Sequence, residues 1–78
     1  MDNKIISRIT LNQDVCHGKP TIRNMRFTVT QMLELVASGM TFEEILEDYS
    51  FIERDDILAC MLYACRISDA KTLIPLAA

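Results

Sequence analysis

The stretch FTVTQMLELVASGMTFEEILEDYSFIERDDI, residues 27–57, contains three successive helix starts. Thr28 and Thr41 are each followed three positions later by a residue, Gln31 or Glu44, whose side chain can accept a hydrogen bond from the threonine backbone, as in a capping box. An apolar residue also precedes each of the three starts and pairs with another inside the helix, the pattern of a hydrophobic staple. These pairs are Phe27 with Met32, Met40 with Ile45, and Ile52 with Ile57.

Apolar residues at helical spacing extend each start into a helix, and Gly39 is a natural end for the first of them. Upstream, the alternation around Ile9 and Leu11 predicts a short strand, and a segment with Gly and Pro leads into a second short strand. We therefore expect one mainly α domain, in which a short N-terminal β segment precedes three helices. The expected boundaries are about 8–27 for the β ribbon, 28–38, 41–49 and 54–68 for the helices, and 71–78 for an apolar tail.

The third helix is apolar on two sides, which indicates a helix that is central or shared with a partner. Its second apolar stripe consists of Cys60, Tyr63 and Ile67, and we predict that this stripe forms a homodimer interface. The tail that follows is too apolar for a solvated chain end. Leu73, Ile74 and Leu76 are therefore candidates for contact with a partner protein.

Positive charge is concentrated in residues 15–33, although the whole chain has a net charge of −3. This segment contains Lys19, Arg23 and Arg26 and no acidic residue, so these three side chains are candidates for phosphate contacts with nucleic acid. Scattered surface charge is the alternative interpretation. Three contacts per chain are few compared with the roughly 6–10 of strong DNA-binding proteins, and dimerisation would double them.

Negative charge is concentrated in residues 41–56. On the second helix, the carboxylates fit either an ordinary solvated face or a surface that binds a basic partner. At the start of the third helix, Asp55 and Asp56 suit the positive end of the helix dipole. They would also repel phosphates, so we do not expect this helix to read a DNA groove.

No catalytic site or cofactor is expected from the reactive side chains. His17 is the only histidine, and the spacing of Cys16, Cys60 and Cys65 matches neither a zinc site nor a disulfide framework. Carboxylates on a helix without a neighbouring histidine or glycine-bearing loop make a poor metal site. With no stretch typical of a signal peptide or a membrane span, we expect a cytoplasmic protein with no membrane partner.

Four sequence motifs resemble a known family in collinear order over about residues 9–64. They are GKPTIR at 18–23, RFTV at 26–29, GMTFEEI at 39–45 and DY at 48–49. In this order and spacing they resemble the family of proteins catalogued as domain of unknown function 433. The Gly-Thr-Arg turn usual in that family stands here as Asn24-Met25-Arg26, and Asn is a residue that can replace Gly where a positive φ is needed.

The resemblance implies a helix-turn-helix-like, homeodomain-like bundle and the function of an antitoxin. Its partner would be a toxin encoded by a neighbouring gene and similar to the PIN-domain ribonucleases, and duplex DNA of the shared promoter would be a further ligand. Two other functions stay open. One is a stand-alone DNA-binding regulator, and the other is a homodimeric structural module without nucleic-acid binding.

Overall fold

The structure, a computed structural model, describes residues 3–68 and is mainly helical. The predicted short β segment followed by three helices is confirmed. A four-residue helix at the N-terminus was not predicted from the sequence. In chain order the elements are α1 (Asn3–Ile6), β1 (Ile9–Thr10), a short 3-10 helix (Cys16–Gly18), β2 (Thr21–Ile22), α2 (Val29–Ala37), α3 (Phe42–Asp48) and α4 (Arg54–Ser68).

The β ribbon has the two antiparallel strands that the sequence predicted. Ile9 pairs with Ile22 and Thr10 pairs with Thr21. The hydroxyl oxygens of the two threonines lie 3.1 Å apart and share a hydrogen bond, which gives the buried Thr21 side chain a polar partner. The ribbon is therefore held by side chains as well as by its backbone.

A tight turn follows β2 and contains the Asn that the sequence analysis singled out. The φ angles of Arg23 and Asn24 are 47° and 59°, and the N–H of Met25 donates to the carbonyl of Ile22 at 2.8 Å. Positive φ at both central residues is the property of a type I′ turn, and Asn tolerates it better than most residues. The expectation that Asn24 takes the positive φ of a glycine is confirmed.

Both predicted capping boxes are present. The hydroxyl of Thr28 accepts from the Gln31 N–H at 3.0 Å, and the Gln31 side chain accepts from the Thr28 N–H at 2.8 Å. The corresponding distances for Thr41 and Glu44 are 3.1 and 2.8 Å. Gly39 follows α2 with a φ of 99°, as a glycine at a helix end does. Local sequence therefore defines where α2 and α3 begin and where α2 ends.

The core lies around α4, which contacts α1, α2, α3 and β1. The third predicted helix was expected to be either central or shared with a partner, and these contacts place it at the centre of the described part of the chain. Side chains from the ribbon, from all three long helices and from the segment before α4 form a single apolar cluster. Its buried members are Ile22, Phe27, Val29, Met32, Ile45, Ile52, Ile57 and Cys60.

Candidate functional site

The carboxylate of Asp56 lies at the start of α4 and is completely buried. Arg23 binds it through two atoms, with Nε 3.0 Å from Oδ1 and Nη2 2.6 Å from Oδ2. Arg8 donates to Oδ1 at 3.0 Å, and the backbone N–H of Glu53 donates to Oδ2 at 2.8 Å. The carboxylate therefore receives four hydrogen bonds, three of them from charged donors.

Two separate parts of the ribbon supply the arginines of this cluster. Arg8 lies just before β1 and also donates to the Glu53 carboxylate at 2.7 Å. Arg23 lies in the turn after β2, where its Nη2 also donates to the carbonyl of Phe51 at 2.9 Å. We call Arg8, Arg23 and Asp56 the ribbon–helix clasp, because they attach to α4 the end of the ribbon at which β1 begins and β2 ends.

The charges within the clasp stabilise one another. Burial by itself would raise the pKa of Asp56, but the hydrogen bonds from Arg23, from the Glu53 backbone and from Arg8 outweigh it and hold that pKa below its ordinary value. Hydrogen bonds to Glu53 and then to Asp56 raise the pKa of Arg8 above the usual arginine value, and the hydrogen bonds to Asp56 raise the pKa of Arg23. All three side chains of the clasp are therefore charged at neutral pH.

Sequence reasoning missed this cluster. Asp56 was predicted at a helix start, where it lies, but its carboxylate was counted among the charges that would repel phosphates, whereas it is completely buried and paired with Arg8 and Arg23. Arg8 was not singled out at all. One sequence feature could have indicated the burial of Asp56. The third helix start has no Ser or Thr at its N-cap, and the Asp56 carboxylate instead accepts a hydrogen bond from the backbone N–H of Glu53, three positions earlier.

The three predicted nucleic-acid residues have different surroundings. The Arg23 guanidinium is held by the clasp, so its hydrogen-bond donors are mostly occupied. Lys19 and Arg26 are exposed and form no ion pair within residues 3–68. Phosphate contact stays a prediction for all three residues, and Lys19 and Arg26 are the two that are free to make it.

Cys60 was predicted to lie in a dimer interface with Tyr63 and Ile67, and its position corrects that prediction. The side chain is completely buried in the core of its own chain, because α4 turns it toward α2 and α3. Tyr63 is half-buried, and Ile67 is 53% exposed. The surface stripe of the described α4 residues is therefore reduced to Tyr63 and Ile67.

Burial also changes the reactivity that we expect of Cys60. Desolvation, and secondarily the charge of Asp56, raises the pKa of this thiol to about 12. Because the thiolate is the nucleophile, iodoacetamide at pH 8 should alkylate Cys60 more than about 100-fold more slowly than the exposed Cys65. Peptide mass spectrometry measures both rates, and the two should converge in denaturant. Equal rates in the native protein would contradict the buried position.

An apolar groove runs between α2 and the last turns of α4, with a volume of about 280 Å³. We call it the α2–α4 groove. Tyr63 and Ile67, the two remaining residues of the predicted interface, lie on one side of it. Its walls are formed by Pro20, Val29, Thr30, Leu33, Tyr63, Ala64, Ile67 and Ser68.

A second open groove, of about 490 Å³, is more aromatic and carries a carboxylate. We call it the aromatic groove. The ring of Phe27 meets those of Tyr49 and Phe51 edge-on, with centroids 5.3 and 6.0 Å away. Phe51 nevertheless stays 51% exposed. The lining residues are Phe27, Gln31, Glu34, Leu35, Ser38, Tyr49 and Phe51.

The acidic side chains of α2 and α3 are solvent-exposed, as the sequence analysis expected for a helix face. Glu44 is used by its capping box. Glu34, Glu43, Glu47 and Asp48 form no ion pair with any residue between 3 and 68. They are therefore exposed negative charges on α2 and α3.

The predicted partner-binding residues Leu73, Ile74 and Leu76 lie outside the described residues. Among residues 3–68, no group of three His, Cys, Asp or Glu side chains is placed to hold a metal ion. None of the helices in that same range combines the length and the hydropathy required to cross a membrane.

Comparison with known proteins gives one match. A family model described as "Protein of unknown function (DUF433)" matches residues 9–64. The match covers the ribbon, α2, α3 and most of α4, including every residue of the aromatic groove and two of the three residues of the clasp. Comparison with curated proteins and with solved structures gave no match.

Proposed function

Because this chain belongs to the DUF433 family, which its family model matches over residues 9–64, we propose that it is the antitoxin of a type II toxin–antitoxin pair. Its partner is a nuclease toxin similar to the PIN-domain ribonucleases, encoded by a neighbouring gene and neutralised by direct binding in the cytoplasm. The antitoxin role comes from the family resemblance, and the surface of the molecule supports it.

The observation that carries the proposal is the aromatic groove. Phe51 leaves half of its ring exposed beside a cleft that is lined by two further aromatic rings. Large aromatic side chains that are half-exposed in the free protein are typical anchors of protein interfaces, because a partner gains much apolar burial from few residues. A small domain exposes such a ring at a cost to its own stability.

Charge favours a nuclease as the occupant of this groove. Glu34 lies in its lining, and Glu47 and Asp48 lie exposed on the next helix. An enzyme that binds RNA presents Lys and Arg side chains to the phosphates of its substrate. An acidic surface complements such a cleft, accelerates association and competes with the nucleic acid.

Co-expression of the chain with the product of the adjacent gene tests the proposal. We expect a stable complex in a pull-down and a host that survives expression of the toxin only when the antitoxin is present. Phe51→Ala and Glu34→Arg, which change the anchor ring and the groove carboxylate, should each raise the Kd by about 10-fold or more. Isothermal titration calorimetry measures this change.

Asp14→Arg is the matched control, because it reverses an exposed carboxylate outside the aromatic groove. It should leave the Kd within about a factor of three. Absence of a complex with any neighbouring gene product, together with an unharmed host when that product is expressed alone, would contradict the antitoxin function. Unchanged affinity of both groove variants would contradict the groove as the binding surface.

The other predicted partners are parts of the same proposal. Lys19 and Arg26, which form no ion pair within residues 3–68, are two candidate contacts with promoter DNA, which falls short of the contacts that a stand-alone regulator needs. Homodimerisation through Tyr63 and Ile67 would double that number. Both ideas stay predictions, and the toxin remains the principal partner.

A further inference from the structure

The rings of the aromatic groove indicate which kind of partner side chain the groove binds. They are not stacked in parallel, because the ring planes of Phe51 and Phe27 meet at 69° and those of Phe51 and Tyr49 at 80°. Neither neighbour therefore lies flat on a face of Phe51, which stays 51% exposed. The face of an aromatic ring carries partial negative charge, so an exposed ring of this kind attracts a cation.

The polar groups of the groove also suit a cation. Among the described residues that line it, Glu34 is the one charged side chain, and its exposed carboxylate forms no ion pair within residues 3–68. The hydroxyl groups of Ser38 and Tyr49 belong to the same lining. Ser38 donates to the carbonyl of Leu35 at 2.7 Å, so its oxygen keeps its lone pairs as acceptors. The groove therefore offers a partner negative charge and hydrogen-bond acceptors beside an aromatic ring.

A cation over an aromatic ring already occurs elsewhere in the chain. The guanidinium of Arg54 lies over the Phe42 ring, 5.0 Å from its centroid. In the described part of the chain, Phe51 has no such cation over its ring, although it is the more exposed of the two. Arg23 donates to the Phe51 carbonyl, but its charge is paired with Asp56. The Phe51 ring is therefore available to a cation of another molecule.

An arginine side chain fits these features better than a lysine side chain does. Its guanidinium is planar and weakly hydrated, so it can stack on a ring while its N–H groups donate to a carboxylate. A lysine ammonium is a compact and strongly hydrated charge without a flat face. The groove volume of about 490 Å³ lies within the ~300–1,000 Å³ of ligand pockets, so a whole side chain can enter.

We infer that the aromatic groove binds an arginine side chain of the partner protein, with the guanidinium stacked on Phe51 and hydrogen-bonded to Glu34. The inference deepens the proposed function and rests on it for the identity of the partner, because a ribonuclease presents arginines to the phosphates of RNA. An arginine bound in the groove cannot contact RNA at the same time. The preference for arginine is a property of the groove and is tested on the isolated chain.

Titration of the isolated full-length chain with N-acetyl-argininamide, followed by NMR, is the direct test. We expect the ring resonances of Phe51 and Tyr49 to shift, with a Kd in the millimolar range. N-acetyl-lysinamide has the same charge and should bind at least about 5-fold more weakly, and N-acetyl-leucinamide tests a purely apolar occupant. Equal binding of the arginine probe and either control would overturn the inference. So would the absence of any shift at about 50 mM arginine probe.

Two substitutions test the two contacts separately. Phe51→Leu keeps an apolar side chain but removes the ring, and Glu34→Gln keeps the shape of the side chain but removes its charge. Each should raise the Kd of the arginine probe by at least about 5-fold. Glu47→Gln is the matched control, because it removes an exposed carboxylate outside the groove lining, and it should leave the Kd within about a factor of two. A Kd that neither groove variant changes would overturn the inference.

Failure of this inference is distinguishable from failure of the antitoxin function. A complex with the neighbouring gene product could form and be weakened by Phe51→Ala, yet tolerate every arginine-to-lysine substitution in that product. The antitoxin function would then stand, and the arginine contact would be overturned. If the arginine probe binds the groove as expected but no neighbouring gene product forms a complex, the antitoxin function fails and the arginine specificity of the groove is supported.

Discussion

Replacing Asp56 with Asn should lower the free energy of unfolding by about 2–4 kcal/mol, although the two side chains have nearly the same shape. The amide has one acceptor oxygen in place of two, and in either orientation its NH₂ group faces a guanidinium donor of Arg23. Arg23 would then have no carboxylate partner within residues 3–68, whereas Arg8 would keep Glu53 and the more distant Asp55. Because both arginine side chains are partly exposed, water offsets part of this cost. The expected loss of stability is therefore smaller than for a fully buried ion pair.

Urea denaturation measures this loss, and Asp55→Asn is its control. Asp55 is the preceding residue of the same helix turn, but its side chain is 52% exposed and lies 3.9 Å from Arg8. Its replacement should cost less than about 0.5 kcal/mol. Similar losses for the two variants would contradict the central role of the clasp.

The clasp also predicts the direction of the pH dependence of folding. The pKa of Asp56 is lower in the folded chain than in the unfolded chain, where it lies near about 3.9. Its stabilising contribution is therefore fully present above about pH 4 and is lost as the pH falls through the lower, folded value. Asp56→Asn should therefore reduce the loss of unfolding free energy that the wild-type chain shows as the pH falls below about 4, whereas Asp55→Asn should leave that loss unchanged.

Phe27→Ala should be the most destabilising substitution in the aromatic cluster, with a loss of about 3–4 kcal/mol. Phe27 is buried, joins the core at the start of α2 and packs edge-on against Tyr49 and Phe51. Its removal creates a cavity below both neighbouring rings. For a domain of this size we expect Tm to fall by about 15 °C or more.

Phe51→Ala is the matched control within the same cluster, because half of its ring is already in solvent. Its cost should be about 1 kcal/mol. Differential scanning calorimetry of the two variants compares them directly. If Phe51→Ala lowered Tm as much as Phe27→Ala, the Phe51 ring would be needed for folding. Weaker toxin binding by this variant would then reflect loss of the fold and would not support a direct contact with the toxin.

The parts of the fold that the sequence predicted are those that depend on neighbouring residues. A capping box is complete within four positions, so Thr28 and Thr41 identify the starts of α2 and α3. The turn at Asn24 was predictable for the same reason. Helix α1 was missed because four residues form no stable helix alone and this one depends on its contact with α4.

The candidate site was less predictable because its groups come from distant positions. Asp56 lies 33 residues from Arg23 and 48 from Arg8, and no periodic pattern links them. Cys60 was assigned to the surface because apolar residues on two sides of a helix do not reveal which side faces the core. The aromatic groove likewise combines residues of α2 with residues that follow α3.

The long sequence separation within the clasp has a consequence for the folding pathway. Helices α2 and α3 contain their own start signals and can form early, whereas Arg8 reaches Asp56 only after a long loop has closed, at an entropic cost that local contacts do not have. The clasp should therefore form late, on the native side of the main barrier. Weakening it would then accelerate unfolding more than it slows folding. Substitutions at these three positions should therefore change the lifetime of the folded protein much more than the rate at which new chains fold.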